Sequence, residues 1–465
     1  MDLARYWAAM SYLESFIRGG SEAPRTRDEH LAQWQTKLPS MEFLLERMGS
    51  PHRRFRSVHI GGTSGKGSTA TFVASILGAA GYRTGLHTSP YLQAAVEKIA
   101  VNGHPIPPQD MADLIEGSKA IFQEMEATGP YGPPAFVQLW TALAFAYFAQ
   151  RQVDMAVVEV SLGGRFDYTN ILAPLAAAIT TVDFDHTATL GHTLREIAWH
   201  KAGIIKPGTP VVSGVRHQEA LEQIQAECVE KRAPLYRIGW ESSYSVKKLD
   251  RGGATFDCAV PGHTYRDLEI TMLGEHQALN ASIAVGVVGA LRHRDVPVSE
   301  DALRQGLREA RIPGRLEVVQ ENPTVILDGA HNPEKASTLR RALEQLFPGK
   351  SLVLVLGIGA SKDAQEVLRV LAPGARLVLC TAAGVIGKPA TLPEQLVREI
   401  IAMGVEARVV PEPLAAMEQA LAAAGQDTIV CATGSLFLVG ALRERWYPVA
   451  GILAAAAAAA SPTAN

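Results

Sequence analysis

With 465 residues, 47% of them hydrophobic and 20% charged, the chain is too long for one ordinary core and has the composition of a globular protein built from two α/β units. Lys and Arg number 44 against 47 Asp and Glu, so no net positive field is available to attract nucleic acid. Four scattered cysteines, Cys228, Cys258, Cys380 and Cys431, form no CxxC pair, which argues against a zinc site or a disulfide framework and suits a reduced, cytoplasmic compartment.

The opening MDLARYWAAMSYLESF reads as an amphipathic helix with acidic residues, without the basic start, apolar centre or cleavage site of an export signal. From Ser57 to about Leu190, β-branched runs alternate with helical stretches. SVHI is a strand and is followed by a glycine loop. A helix from Lys66 then places Phe72, Val73, Ile76, Leu77 and Ala80 on one face. VDMAVVEV and AAAITTV are almost continuously apolar, as strands of a parallel sheet covered on both faces should be. Between Tyr236 and Met272, polar alternation broken by glycines predicts a few antiparallel strands, an excursion and not a third domain.

Helices are expected from Gln277 to about Leu291 and from Glu300 to Ala310, and RIPGR breaks the chain at Pro313 and Gly314. Beyond the break, VILD, SLVLVLG, RLVLC, ARVV and TIVCATG alternate with helical patterns such as PEKASTLRRALEQLF, giving a second parallel α/β unit. The expected organisation is residues 1–311, then 312–448, then an alanine-rich tail over 449–465. That tail, VAGILAAAAAAASPTAN, is too short to span a bilayer, which needs about 20 apolar residues, and reads as a fraying helix or low-complexity end.

Chemistry concentrates at strand ends. In IGGTSGKGST, a glycine loop between strand and helix can offer backbone N–H groups and a helix N-terminus to phosphate, with Lys66 reaching the terminal phosphates. The string departs from the common Walker A spacing, since Ile60 stands at the first glycine and Gly67 separates Lys66 from Ser68. A plain glycine-rich turn is the alternative. TSPYL, VVEVSLGGRFDYTN and TVDFDHTATLG bring Ser89, Glu159 and His186 to the same sheet edge, where a hydroxyl, a carboxylate and an imidazole could coordinate Mg²⁺. Each also has a plainer reading: Ser89 as a cap, Glu159 as a buried ion-pair partner, His186 as a satisfied core histidine.

These residues, with GYRTGLHTSPYL, EKIAVNGHPI, DHTATLGHTLREIAWHKAGIIKPG, GEHQALNA, IPGR, VILDGAHNP and ATGSLFLVG in order, make the chain resemble the folylpolyglutamate synthase and dihydrofolate synthase family of the Mur-ligase superfamily. The resemblance covers nearly the whole chain. It implies a P-loop parallel-sheet ATP-binding domain followed by a smaller Rossmann-like α/β domain. It further implies ATP held by the loop Thr63, Ser64, Gly65, Lys66, Gly67 and Ser68, with Asn280, Arg315, Asp328 and His331 completing the nucleotide site. Mg²⁺ is expected at Ser89, Glu159 and His186, and Lys201 matches a lysine that the family carbamylates into a second metal ligand; a plain lysine pairing with phosphate is the alternative. Lys66, His186 and Lys201 are the expected catalytic residues.

The implied reaction is ATP-dependent ligation of L-glutamate to a folate or dihydropteroate carboxylate through an acyl phosphate, in a monomer that carries both halves of its site. The acceptor side is where the pattern thins. Tyr91 stands for a usual histidine, Ala100 for an arginine, Gln138 for a glutamate, Phe166-Asp167-Tyr168 for Leu-Asp-Ala, and His200 for a glutamate. Tyr91, Phe136, Gln138, Phe166, Asp167 and Tyr168 are therefore the candidate acceptor residues, and Gln138 offers a pterin only an amide. Two other readings stand beside this one: a Mur-type ligase for a different carboxylate, and a nucleotide-binding module that transfers nothing.

Overall fold

The computed structural model describes residues 3–17, 33–382, 384 and 389–459. Eight strands form the first sheet: β1 Arg56–Gly61, β2 Thr84–His87, β3 Ile99–Val101, β4 His104–Pro105, β5 Met155–Glu159, β6 Ala176–Ile179, β7 Val211–Ser213 and β8 Leu235–Arg237. Their order is β4-β3-β2-β5-β1-β6-β7-β8, parallel from β2 to β8 with an antiparallel β3–β4 hairpin on the edge. Buried on both faces, β5 and β6 carry no exposed residue, which is why their sequences are unbroken apolar runs. The Lys66–Ala79 helix lies on one face with Phe72, Val73, Ile76 and Leu77 fully buried.

The predicted excursion is an antiparallel sheet of β9 Ser243–Asp250, β10 Gly253–Val260 and β11 His263–Ile270. Its Phe256, Cys258 and Leu268 share a core with Ile283 and Val287 of the Glu275–Arg292 helix and with Val58 and Val73. The excursion is thus packed into the first unit. A second sheet holds β12 Glu317–Glu321, β13 Thr324–Leu327, β14 Ser351–Leu356, β15 Ala375–Cys380, β16 Ala407–Val409 and β17 Thr428–Thr433 in the order β12-β13-β17-β14-β15-β16. Five strands run parallel, and β12 pairs antiparallel with β13; the apolar pattern did not reveal it because its residues are only partly covered.

Two terminal expectations fare differently. Leu3–Glu14 is the anticipated amphipathic helix, burying Tyr6, Ala9, Met10 and Leu13; Met1 and Asp2 lie outside the described residues. The tail corrects the reading. Val449–Ala458 is a helix; Leu453 (1% exposed) is buried in the first unit's core with Leu13, Met111 and Ile115, and Ala456 is buried as well. Alanine has the highest helix propensity, Leu453 supplies an anchor, and the Glu444 carboxylate accepts the Val449 N–H at 3.0 and 3.1 Å, so the segment docks and does not fray. Residues 460–465 of the expected tail lie outside the described residues. No described helix is long and apolar enough to cross a membrane.

Leu453→Ala should destabilise the chain by about 2–4 kcal/mol, read as a lower midpoint in thermal unfolding. A midpoint equal to that of the parent chain would return the tail to the status of an undocked end.

Candidate active site between the two sheets

The carboxyl ends of β1, β2, β5 and β6 lie side by side, with Ile60 opposite Glu159 and Gly61 opposite Ile179. The glycine loop leaves β1 at this edge. Gly65 takes a left-handed conformation (φ 80°) directly before the helix, and a Cβ there would stand 2.2 Å from Asn280 Oδ1. Only glycine lets the turn close so tightly on Asn280. The turn is pinned to the chain after β6: Thr63 N–H donates to the Thr181 carbonyl at 2.8 Å, Ser64 N–H to Thr181 Oγ1 at 3.0 Å, and Thr180 Oγ1 to the Ser64 carbonyl at 2.5 Å. The first-turn N–H groups of the following helix have no intrahelical partner and face the cleft, an arrangement suited to phosphate. Lys66 Nζ folds over the turn, 3.4 Å from the Thr63 carbonyl.

A cavity of about 530 Å³ opens above the loop and is lined by every residue of Gly62–Ser68 together with Ser89, Glu159, His186, Lys201, Asn280, Arg315, Asp328 and His331. Residues named from the sequence as nucleotide or metal contacts thus share one cleft. Glu159 is 5% exposed and one of its oxygens accepts the Ser89 N–H at 3.0 Å. Burial pushes its carboxyl above the usual value, opposed by Lys66 and Arg315. His186, at φ 53°, keeps about half of its side chain open to the cleft (49%). Partial burial of the ring, with Lys362, Lys66 and Lys201, outweighs Asp185 and lowers the imidazole pKa to about 4, so the ring is neutral at pH 7. Lys201 is buried (4% exposed), donates to the Gly62 carbonyl at 2.9 Å, and is brought down to about 7 by burial and by Lys66.

The second sheet supplies the opposite wall. Asp328 accepts Leu316 N–H at 2.9 Å and Ala330 N–H at 2.8 Å, tying the turn that carries Arg315 to the DGAH loop. Burial raises its pKa and Arg315 opposes the rise. His331 bonds the Gly329 carbonyl through Nδ1 at 2.7 Å and receives Lys335 Nζ on Nε2 at 3.0 Å, so burial and Lys335 keep it neutral.

Four residues absent from the sequence reading join the walls. Asp185 lies 2.7 Å from Lys362 Nζ, 3.3 Å from Asn332 Nδ2 and 3.8 Å from Lys335 Nζ, and Ser64 Oγ donates to Glu334 at 2.6 Å. Burial alone would raise the Asp185 pKa; Lys335 and Lys362 instead bring it well below the carboxylate range. Asp185 adjoins His186, and Glu334-Lys335 follows the HNP string, so these three had a local signal. Lys362 had none.

The acceptor candidates are not gathered in this cavity. Tyr91 borders a groove of about 1230 Å³ that shares Ser89, Glu159 and Arg315 with the cleft. Gln138 is 1% exposed, its carbonyl accepts Ala135 N–H at 3.3 Å, and its amide donates to Ser40 Oγ at 2.9 Å. Asp167 caps the Tyr168–Ile171 turn, accepting from Thr169 and from Leu162 N–H. Phe136 packs on Trp140, Phe166 meets Trp34, Trp199 and His200, and Tyr168 lies under Lys37.

Asp185→Ala leaves Lys335 and Lys362 facing each other without their carboxylate and should cost about 3 kcal/mol in unfolding free energy. Asp185's depressed pKa means that its contribution is present above the unfolded carboxylate value near 3.9 and is lost as pH falls through its lower folded value. The deficit of the variant, measured by denaturant titration, should be level between about pH 5 and 6.5, below the titration of Lys335 near 7, and should shrink below about pH 4.

Comparison with known proteins places this architecture. Residues 137–288 match the Mur ligase middle domain and residues 314–436 the Mur ligase glutamate ligase domain. A dihydrofolate synthase/folylpolyglutamate synthase from Bacillus subtilis is 38% identical over 71% of this chain and 77% of its own length. The folylpolyglutamate synthase of Lacticaseibacillus casei is 34% identical over 86% of this chain and 92% of its own. A solved structure of Mycobacterium tuberculosis folylpolyglutamate synthase complexed with ADP superposes with a TM-score of 0.85 at 32% identity, covering 96% of this chain and 99% of that one. The chain therefore belongs to the folylpolyglutamate synthase family of the Mur ligase superfamily, a family of ATP-dependent amide ligases.

Proposed function

We propose that this chain joins L-glutamate to the carboxylate of a folate or of dihydropteroate. ATP phosphorylates the acceptor carboxylate to an acyl phosphate and ADP leaves. The amino group of glutamate then forms the C–N bond, phosphate departs with the electron pair of the C–O bond, and the amine loses a proton. The observation that carries this reading is the single cleft in which the phosphate loop and Glu159 of the first unit face Arg315, Asp328 and His331 of the second. The names of the relatives supply the substrates, and the ADP of the solved relative supports an adenine nucleotide on the loop.

The residues divide the work by charge. Thr63–Ser68 would hold phosphate oxygens through backbone N–H groups, Asn280 backs the turn at Gly65, and Lys66 and Arg315 offset the charge that spreads over the transferred phosphoryl group. Ser89, Glu159 and His186 suit Mg²⁺: Glu159 is a buried carboxylate whose ionised form needs a compensating cation, and the neutral imidazole has a lone pair to give. Mg²⁺ held there would supply charge neutralisation at the phosphates. Lys201, half deprotonated near pH 7, can add carbon dioxide by forming an N–C bond and releasing a proton, and the resulting carbamate would be an anionic ligand beside Lys66. Both walls of the cleft come from one chain, which supports action as a monomer, and the reduced-thiol composition supports a cytoplasmic setting.

One observation favours the alternative of a different acceptor acid. Gln138 is 1% exposed and turns its amide to Ala135 and Ser40 within the wall, away from the nucleotide cleft. ADP release should be measured with dihydropteroate and with reduced folates plus L-glutamate, against a panel of other acids and amines. Turnover confined to a non-folate acid would transfer the chain to that reading, and hydrolysis independent of any amine would make it a bare NTPase.

With the preferred acceptor, Lys66→Ala and His186→Ala should each lower kcat by at least about a hundred-fold. Near-parental turnover in either would remove that residue from the site. For Lys201, ¹³C-bicarbonate should yield a carbamate resonance that Lys201→Ala lacks, and short carboxylic acids should partly restore that variant. Full activity in carbon dioxide-free buffer would leave Lys201 a plain lysine.

A further inference from the structure

The second unit is joined to the first on both sides of the cleft, and the two joints differ in kind. On the cleft side, Asp185 meets Lys362 and Ser64 meets Glu334, polar groups that line the nucleotide cavity or stand at its rim. Behind the cleft the joint is buried. Arg443, the last residue of the Leu436–Arg443 helix, is 8% exposed and each nitrogen of its guanidinium makes a hydrogen bond. Nε and Nη2 hold the Glu317 carboxylate at 2.8–3.1 Å, Nη1 donates to Gln93 Oε1 at 2.6 Å, and the plane lies 4.0 Å from the Tyr447 ring centre. Gln93 returns the contact by donating to the Tyr447 carbonyl at 2.8 Å. One turn before Arg443, the backbone at Gly440 presses on the same loop so closely that a Cβ would stand 2.0 Å from the Leu92 carbonyl oxygen.

What the two partners of Arg443 hold gives the joint its meaning. Glu317 also accepts the Gly314 N–H at 2.8 Å, and the next residue is Arg315, which reaches into the cleft. Gln93 stands four residues after Ser89 in a loop whose backbone is gripped by one carboxylate: Glu97 accepts the N–H groups of Leu92, Gln93 and Ala94 at 2.7–3.3 Å. At its other end that loop donates from Ser89 N–H to Glu159.

We propose that Arg443 is a positioning residue for the ligation: by holding Glu317 and Gln93 together it keeps the Arg315 turn of the second unit in register with the Ser89 loop of the first. The proposal rests on the reading of function above. Arg443 touches neither nucleotide nor acceptor; it acts through Glu317 and Gln93. Its bidentate grip and its third bond are geometrically demanding, and lysine cannot reproduce them. The buried joint serves as a pivot, and the cleft-side contacts are those that substrates meet. An error of about 1 Å in the register of the two walls is enough to cost about a hundred-fold in rate, because transfer depends on alignment.

Gln93→Leu breaks the bridge while leaving the Arg443–Glu317 pair intact within the second unit, so it tests the register without removing a buried ion pair. In the full-length chain, kcat for glutamate ligation should fall about ten- to a hundred-fold. ADP affinity should stay within about five-fold, since the phosphate loop supplies most of it. Gln93→Leu combined with Arg443→Met should slow turnover by less than the product of their separate effects, because the Arg443–Gln93 bond is lost in either, while the Gln93 bond to the Tyr447 carbonyl is lost only with Gln93. Spin labels on Val229→Cys and Ile401→Cys, both exposed and in opposite units, report the register directly, and the four native cysteines are buried. Their distance distribution should be narrow in the parent chain and broad with Gln93→Leu.

Parental turnover and an unbroadened distance in Gln93→Leu would overturn the proposal. So would a loss of rate matched by equal losses of ADP affinity and thermal stability, the mark of a general folding defect. If the parent chain turns over no folate acceptor, the reading of function fails by itself, and the distance measurement still decides the role of Arg443.

Discussion

Everything in the cleft depends on one turn, the left-handed Gly65 between β1 and the Lys66–Ala79 helix. A side chain there would collide with Asn280, and without the turn the helix would not present its unpaired N–H groups to the cavity. The turn itself is kept in place by the chain after β6, through Thr180 and Thr181, so neighbouring strands of the parallel sheet build the loop jointly. Parallel strands deliver their carboxyl ends to one edge, which is why Ser89, Glu159 and His186, distant in sequence, arrive at the same cavity as the loop.

The cleft is held in an electrostatic state prepared for anions. Lys66, Lys201, Lys335, Lys362 and Arg315 crowd its walls against Glu159, Asp185, Asp328 and Glu334. Burial and mutual repulsion bring Lys201 and Lys335 down to about 7, while burial raises Glu159, Asp328 and Glu334. Asp185 runs against this trend because two lysines of the second unit bracket it, which makes it the negative side of a contact between the units at the cleft. A nucleotide with its cation would enter a site whose charges are incompletely compensated, and the binding energy of that compensation is available for closing the two walls.

The two units are connected by more than the Pro313–Gly314 break. Arg443 and Gln93 tie them behind the cleft, and the Val449–Ala458 helix crosses back to bury Leu453 in the first unit's core. Chain that would pass for a tail by composition is therefore part of the joint. The acceptor side gives a different lesson. Gln138 and Asp167 are buried polar groups with their hydrogen bonds already made, and their partners Ser40, Leu162 and Thr169 explain why they are tolerated in the wall.

By itself the sequence determined two α/β units and named a glycine loop and the set Ser89, Glu159, His186, Lys201, Asn280, Arg315, Asp328 and His331, all of which line one cleft. Ser89, Glu159 and His186 lie in short motifs at strand ends, where local pattern and chemistry coincide, while Lys201 and Asn280 lie in helices and were legible only through the family resemblance; the apolar runs of parallel strands are unambiguous. Tertiary structure alone decided which groups meet across the units: Asp185 with Lys362, Ser64 with Glu334, Gln93 with Arg443. It also decided that β12 is a strand, that Val449–Ala458 docks, and that Gln138 faces Ser40 and not a ligand. The reason is the same in each case. Periodicity reports how one segment divides its own faces between core and solvent, whereas a contact between separate segments, from the 98 positions between Ser40 and Gln138 to the 350 between Gln93 and Arg443, exists only once both are packed.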